Sequence, residues 1–303
     1  MSEFAGPEGF PPPATASEAR VVSSDLAFQV VEPSEVVLQI VASASAGRVR
    51  AERFEVRVDG EPAPAPIELA GPHGARVQVF HAPAGSMTVS YRSELDRVAL
   101  PTGPNPGPAR ATPDRGPWRQ DADLLRLVYL RSSRYCPSDH LVGFAVAEFG
   151  TASSVRNRVE AITDWIRARV GYVAGSSSVH DSAEDTLLTG MGTCRDFAHL
   201  GVALCRAVGI PARFAAVYAP GLSPMDFHAV FEAQDLDGRW YAYDATDLAP
   251  RQSMVRIVTG RDAADAAFAS VNSGIATFGC VAVTATTGGD LPVDNPSLQV
   301  ELA

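Results

Sequence analysis

Residues Gly190–Phe214, GMGTCRDFAHLGVALCRAVGIPARF, pass from a flexible lead-in to a helix and then out into a strand. After Cys194 the set Phe197, Leu200, Gly201, Leu204 and Val208 recurs in steps of three and four, the period of one helix face. Gly209 supplies the helix stop. Cys194 therefore stands at the helix start, whereas Cys205 is surrounded by aliphatic residues and reads as core. The following runs, ARFAAVYAP, FHAVFEAQDL and RWYAYDAT, alternate as strands, and Asp237-Gly238 marks a hairpin turn. A helix feeding an antiparallel sheet predicts an α+β layout. Near the end of the chain, FGCVAVTATTGGD and SLQVEL read as further strands.

Working outward, SSVRNRVEAITDWIRARVGY carries a serine cap followed by Val155, Val159, Ile162, Trp165 and Ile166 on one face. DADLLRLVYLRSSRY also has helical spacing. Residues 101–118 are rich in proline and glycine and read as a linker. Before them, residues 21–100 show short alternating runs broken by turn signals, the pattern of a small antiparallel β-sandwich. Among these, LAFQVVEPSEVVLQIVAS is expected to turn at Pro33-Ser34. Residues 1–20 read as a disordered tail, and 119–303 as one catalytic domain.

The chain has 303 residues, 46% of them hydrophobic, and a formal charge of −10. That charge disfavours nucleic acid and anionic membrane surfaces as partners, since both require a basic face. All 25 basic residues are arginine, a composition typical of a GC-rich bacterial genome. The N-terminal stretch has neither a basic region nor an apolar core of a signal peptide, and no run of about 18 apolar residues occurs. A cytoplasmic location is the expectation. The four cysteines, Cys136, Cys194, Cys205 and Cys280, are irregularly spaced, so neither a disulfide framework nor a zinc site is expected. No cofactor or metal is called for.

Cys194 draws attention because a helix N-terminus carries about half a unit of positive potential, which stabilises a thiolate. Gly190, Gly192 and Thr193 allow close approach by a ligand, and the Cys194 amide can face an oxyanion formed beside the sulfur. His228 opens one strand of the predicted hairpin and Asp244 ends the other. If the strands pair, the imidazole can take the thiol proton while the carboxylate fixes the ring. Taken singly, each residue has an ordinary structural explanation; the three together are much rarer by chance.

These residues, with DFHAVFEA and RWYAYDATDLAPR, resemble the core of the transglutaminase-like superfamily, a branch of the papain-like cysteine-enzyme fold. The resemblance runs from about Leu125 to Phe268 and takes in YLRSSRYCPSD and RIVTGRDAADAAF. It implies a papain-like α+β core preceded by a β-domain, with Cys194 as nucleophile, His228 as base and Asp244 as the orienting carboxylate. The implied chemistry is acyl transfer on a polypeptide or amide substrate through a thioester. A cysteine peptidase or amidase is the first expectation, a transglutaminase the second, and a non-catalytic binding scaffold the third. Tyr172 and His180, in the segment before the nucleophile, are candidate second oxyanion donors beside the Cys194 amide. His199 lies about 140° around the helix from Cys194 and reads as packing. Asp196 suits the first turn of a helix and reads as structural. Oligomeric state leaves no mark in the sequence.

Overall fold

A computed structural model of the chain describes residues 19–96 and 120–302. The expected linker and nearly all of the expected N-terminal tail lie outside these residues. The tail's last two positions, Ala19 and Arg20, already belong to the first strand. The order is β1 (Ala19–Leu38), β2 (Val49–Val58), β3 (Glu61–Pro62), β4 (Ile67–Ala70), β5 (Arg76–Ala82), β6 (Gly85–Asp96) and α1 (Gln120–Val128). Next come α2 (Val142–Phe149), α3 (Val155–Arg169), β7 (Gly171–Tyr172), α4 (Ala183–Thr189), β8 (Met191–Gly192) and α5 (Cys194–Ala207). The last elements are β9 (Ala212–Tyr218), β10 (Phe227–Gln234), β11 (Trp240–Tyr243), β12 (Val255–Gly260) and β13 (Ala269–Thr287).

The N-terminal region is antiparallel and β-rich, as its alternation predicts. β1 pairs with β6 along its first half and with β5 along its second. Pro33-Ser34 does not turn the chain. The strand runs on through it, with register shifts around Val30, Glu32 and Glu35 against the partner strand. A proline lacks the N–H a ladder requires, but it is accommodated where pairing is already interrupted. That partner is β13, which lies along β1 from Arg20↔Thr287 to Leu38↔Ala269. The expected single catalytic domain over 119–303 therefore differs from the structure: residues 269–287 complete the N-terminal sheet. β13 finds its hydrogen-bond partner along nearly the whole length of β1. SLQVEL also departs from expectation. Residues 297–302 form no strand, although the Ala242 N–H donates to the Val300 carbonyl at 2.8 Å.

The second layer is a four-stranded antiparallel sheet in the order β11-β10-β9-β12, with α5 packed against β9 and β10. α5 is held from its other sides by α2, α3 and α4. Leu200, Leu204 and Cys205 are fully buried. Gly201 permits the closest approach between helix and sheet, because a Cβ there would lie 2.5 Å from two ring carbons of Phe231. This contact lets the middle of α5 lie close against β10.

Buried polar contacts tie the two regions together. The Tyr218 hydroxyl at the end of β9 donates to the Ile40 carbonyl at 2.7 Å and lies 2.9 Å from the Ser24 hydroxyl. Arg20 donates to the carbonyls of Met254 and Ala46. His73 reaches the four-stranded sheet from a turn in left-handed backbone conformation (φ 55°). Its Nδ1 accepts from the Arg213 guanidinium at 3.2 Å, so Nε2 carries the proton and donates to the Tyr129 hydroxyl at 2.9 Å. Burial, reinforced by the Arg213 charge, pushes His73 down to about 4, which keeps it neutral. Arg213 in turn donates to Glu232 on β10 at 2.7 Å, and Arg256 binds the other carboxylate oxygen. A fully buried carboxylate between two guanidiniums has the charge compensation that burial demands. The strand that carries His228 is thereby anchored through Glu232.

Candidate active site

Cys194 is the first residue of α5, as its spacing predicts. The helix start is built by Thr193 and Asp196. The buried Asp196 carboxylate accepts from the Thr193 backbone N–H at 2.8 Å and from the Thr193 hydroxyl at 2.9 Å. Such an N3 carboxylate both caps the helix and complements its dipole. Arg195 donates to the same carboxylate at 3.0 Å and to the Ser177 hydroxyl at 2.7 Å, clamping the preceding loop onto the first turn. The reading of Asp196 as structural agrees with this geometry. Gly192 is required beside it, since a Cβ there would sit 2.6 Å from the Asp196 Cβ.

β10 pairs Phe231 with Tyr243 on β11, and the next residue, Asp244, comes alongside His228. His228 Nε2 lies 2.9 Å from Asp244 Oδ2, and both side chains are buried. The second carboxylate oxygen, Oδ1, accepts from the Thr246 N–H at 2.9 Å and the Thr246 hydroxyl at 2.7 Å. The Asp244 carbonyl accepts from Arg167 on α3 at 3.1 Å. Burial alone would raise the Asp244 carboxyl, but the His228 charge and the Thr246 hydrogen bonds hold it below its ordinary range.

Burial alone would lower the His228 imidazole. The Asp244 charge and hydrogen bond outweigh it, Cys194 adds to them, and the ring is pushed up to about 10. The side of the ring that remains for Cys194 is Nδ1, which is buried and without a partner of regular hydrogen-bond geometry. The contact with the sulfur is thus looser than the contact with Asp244. Resting catalytic pairs commonly have this form and tighten when substrate binds. The arrangement holds an acid-base group between a fixed carboxylate and a thiol at a helix start.

Tyr172 is brought to the same place. It pairs with Gly192 across the short parallel β7–β8 ladder, and its ring lies 6.0 Å from that of Phe197. Burial and the negative charges of Cys194 and Asp226 push its hydroxyl up, opposed by a hydrogen bond from the Cys194 backbone N–H. The phenol keeps its proton at neutral pH and has a hydrogen bond to give. His180 is placed differently. It lies exposed in the turn Ser178–Asp181, where its N–H is 3.3 Å from the Ser178 hydroxyl. Its described contact belongs to that turn.

The remaining candidates fall into the core. His199 is fully buried, its Nε2 accepts from the Ala263 N–H at 3.1 Å, and its ring stacks on Tyr135. Burial pushes it down to about 3, so it stays neutral. Cys136 and Cys205 are buried thiols pushed up by desolvation, and all four cysteines are free. Among the described residues no group of three or more His, Cys, Asp and Glu side chains could hold a metal ion. No described helix is long and apolar enough to cross a membrane.

Thr246 and Arg167 escaped sequence reasoning. The Asp-Ala-Thr spacing, which lets a hydroxyl turn back onto a carboxylate two residues earlier, was the available signal for Thr246. Arg167 lies 77 positions from the carbonyl it binds and left no sign.

Residues 144–245, from α2 to just past Asp244, match the model of the transglutaminase-like superfamily. A solved structure from Cytophaga hutchinsonii, named a "Putative Cysteine Protease", is 35% identical, with a TM-score of 0.75 over 92% of this chain and 93% of that one. An uncharacterized protein of Mycobacterium leprae is 29% identical over 145 residues, 46% of this chain. The chain spans about half (52%) of the length of that curated relative. With this fold and a full-length relative at that identity, the chain belongs to the transglutaminase-like superfamily.

Proposed function

We propose that this chain is a cysteine-dependent acyl-transfer enzyme that hydrolyses peptide or glutamine-type amides through a thioester on Cys194. The observation that carries the reading is the His228–Asp244 pair, buried beside a thiol at the start of α5. Cys194 attacks the amide carbonyl, and protonated His228 gives its proton to the departing amine. Oxygen develops negative charge near the Cys194 amide, with the Tyr172 hydroxyl as second donor. His228, now neutral, next takes a proton from water, which attacks the thioester and releases the acid. Asp244 keeps the ring in its productive tautomer throughout. The ionisable groups required for each proton transfer belong to the chain itself. The substrate is a polypeptide or another amide. The similarity to a protein named a cysteine protease supports hydrolysis over transamidation.

The competition between water and amine is measured directly. Denatured casein incubated with the enzyme and a labelled primary amine is expected to yield new carboxylates or new N-termini with little incorporated label. Stoichiometric label on glutamine side chains would assign the transglutaminase reaction instead. Substrate binding without any covalent product would assign the scaffold role.

A further inference from the structure

We propose that Thr246 is a positioning residue of this site: its hydroxyl holds the Asp244 carboxylate in the orientation that grips His228. The inference rests on the reading of Cys194, His228 and Asp244 given above and extends it by one residue.

Asp244 is 4% exposed, so its charge depends on protein donors rather than water. Its two oxygens are used differently. Oδ2 faces His228 Nε2 at 2.9 Å, and Oδ1 receives both donors of Thr246, the backbone N–H at 2.9 Å and the hydroxyl at 2.7 Å. A carboxylate bound only at Oδ2 would still be free to rotate about its Cβ–Cγ bond. With Oδ1 pinned as well, the plane is set and the lone pair of Oδ2 stays directed at the imidazole.

The hydroxyl's own direction is fixed. The Leu248 N–H points at Thr246 Oγ1 at 3.4 Å, a long contact that occupies the oxygen as acceptor and leaves its hydrogen for Asp244. The donors run in one sense, from Leu248 N–H to Thr246 O–H to Asp244 Oδ1. A second anchor holds the same turn from behind, where Arg167 Nη2 donates to the Asp244 carbonyl at 3.1 Å. Arg167 is itself paired with Asp164 one turn earlier on α3 at 3.2 Å. Backbone and side chain of Asp244 are thus held separately, the first by α3 and the second by Thr246.

Thr246→Val keeps the shape and the backbone N–H and removes only the hydroxyl. Hydrogen bonds to charged groups are stronger than neutral ones, so the loss is expected to lower kcat on denatured casein about tenfold or more. KM should stay within about twofold, because Thr246 is placed against Asp244 rather than against substrate. The rate of Cys194 alkylation by iodoacetamide should fall in the same variant. Thr246→Ser, which restores the hydroxyl, should recover kcat to within about threefold of the parent. An unchanged kcat in Thr246→Val overturns the inference, as does a loss that Thr246→Ser fails to repair. A full-activity Cys194→Ala control would overturn the underlying reading itself. An inactive Cys194→Ala beside a fully active Thr246→Val would leave that reading standing and reject Thr246 alone.

Discussion

Cys194→Ala is expected to abolish turnover, with amide hydrolysis falling by about 10⁴-fold or more and the melting temperature almost unmoved. The size follows from the chemistry: without the sulfur no thioester forms, and the remaining groups can only polarise a bound carbonyl. The stability expectation follows from position. Cys194 is half-buried at the first turn of α5, and the cap there is made by Thr193 and Asp196 rather than by the thiol. Truncation to alanine in such a place removes one sulfur and no buried hydrogen bond. The check is steady-state hydrolysis of denatured casein together with thermal unfolding of both proteins. Retained turnover at even a tenth of the parent rate would exclude Cys194 as nucleophile.

Asp244→Asn is expected to lower turnover by about 10³–10⁴-fold at neutral pH, the scale seen when an orienting carboxylate is lost. The variant also changes the pH dependence. In the parent, the Asp244 charge outweighs burial and lifts His228 to about 10, so the imidazolium proposed to protonate the leaving amine persists well into the alkaline range. With a neutral amide at position 244, burial dominates and the ring titrates far lower. The alkaline limb of kcat should therefore move down by about two pH units or more. Stability follows the same sign. A raised folded value means that His228 contributes stability in full below its ordinary 6.5, and the contribution is lost as pH rises through about 10. Asp244, held below its ordinary range, contributes stability above that range and loses it as pH falls. The parent should show both losses, one on each side of neutrality; Asp244→Asn should lack the alkaline one, and its only loss should come on the acid side, as the depressed His228 takes up its proton. Identical pH profiles for the two proteins would show that the carboxylate does not govern the ring.

The site was more legible in the sequence than the sheet that supports it. Cys194, His228 and Asp244 each carry a local signal: a helix start after small residues, the opening of an alternating run, and a strand end after an Asp-Gly turn. Local signals of that kind depend on backbone geometry within a few residues, which the sequence records directly. The hairpin register that brings Asp244 to His228 is likewise set by the short turn between β10 and β11. β13 was harder. Its alternation announced a strand, yet nothing within it named β1 as its partner across some 250 residues. Long-range pairing is decided by which edges remain open after folding, and no window of sequence contains that. Pro33-Ser34 failed for a related reason: a turn signal yielded to the continuous partner strand lying along both of its flanks. Tyr172 was named for its place in the segment before Cys194, and its ring lies 6.0 Å from that of Phe197 in α5. His180 carried the same kind of signal and sits in a surface turn.

The most direct measurement is intact-protein mass spectrometry, acid-quenched during turnover of a glutamine peptide, followed by mapping of the modified residue. The predicted result is an added acyl mass on Cys194, absent from Cys194→Ala and discharged by hydroxylamine as a thioester is. Turnover in the parent with no acyl mass at any time, or with the mass on another residue, would contradict covalent catalysis by this sulfur.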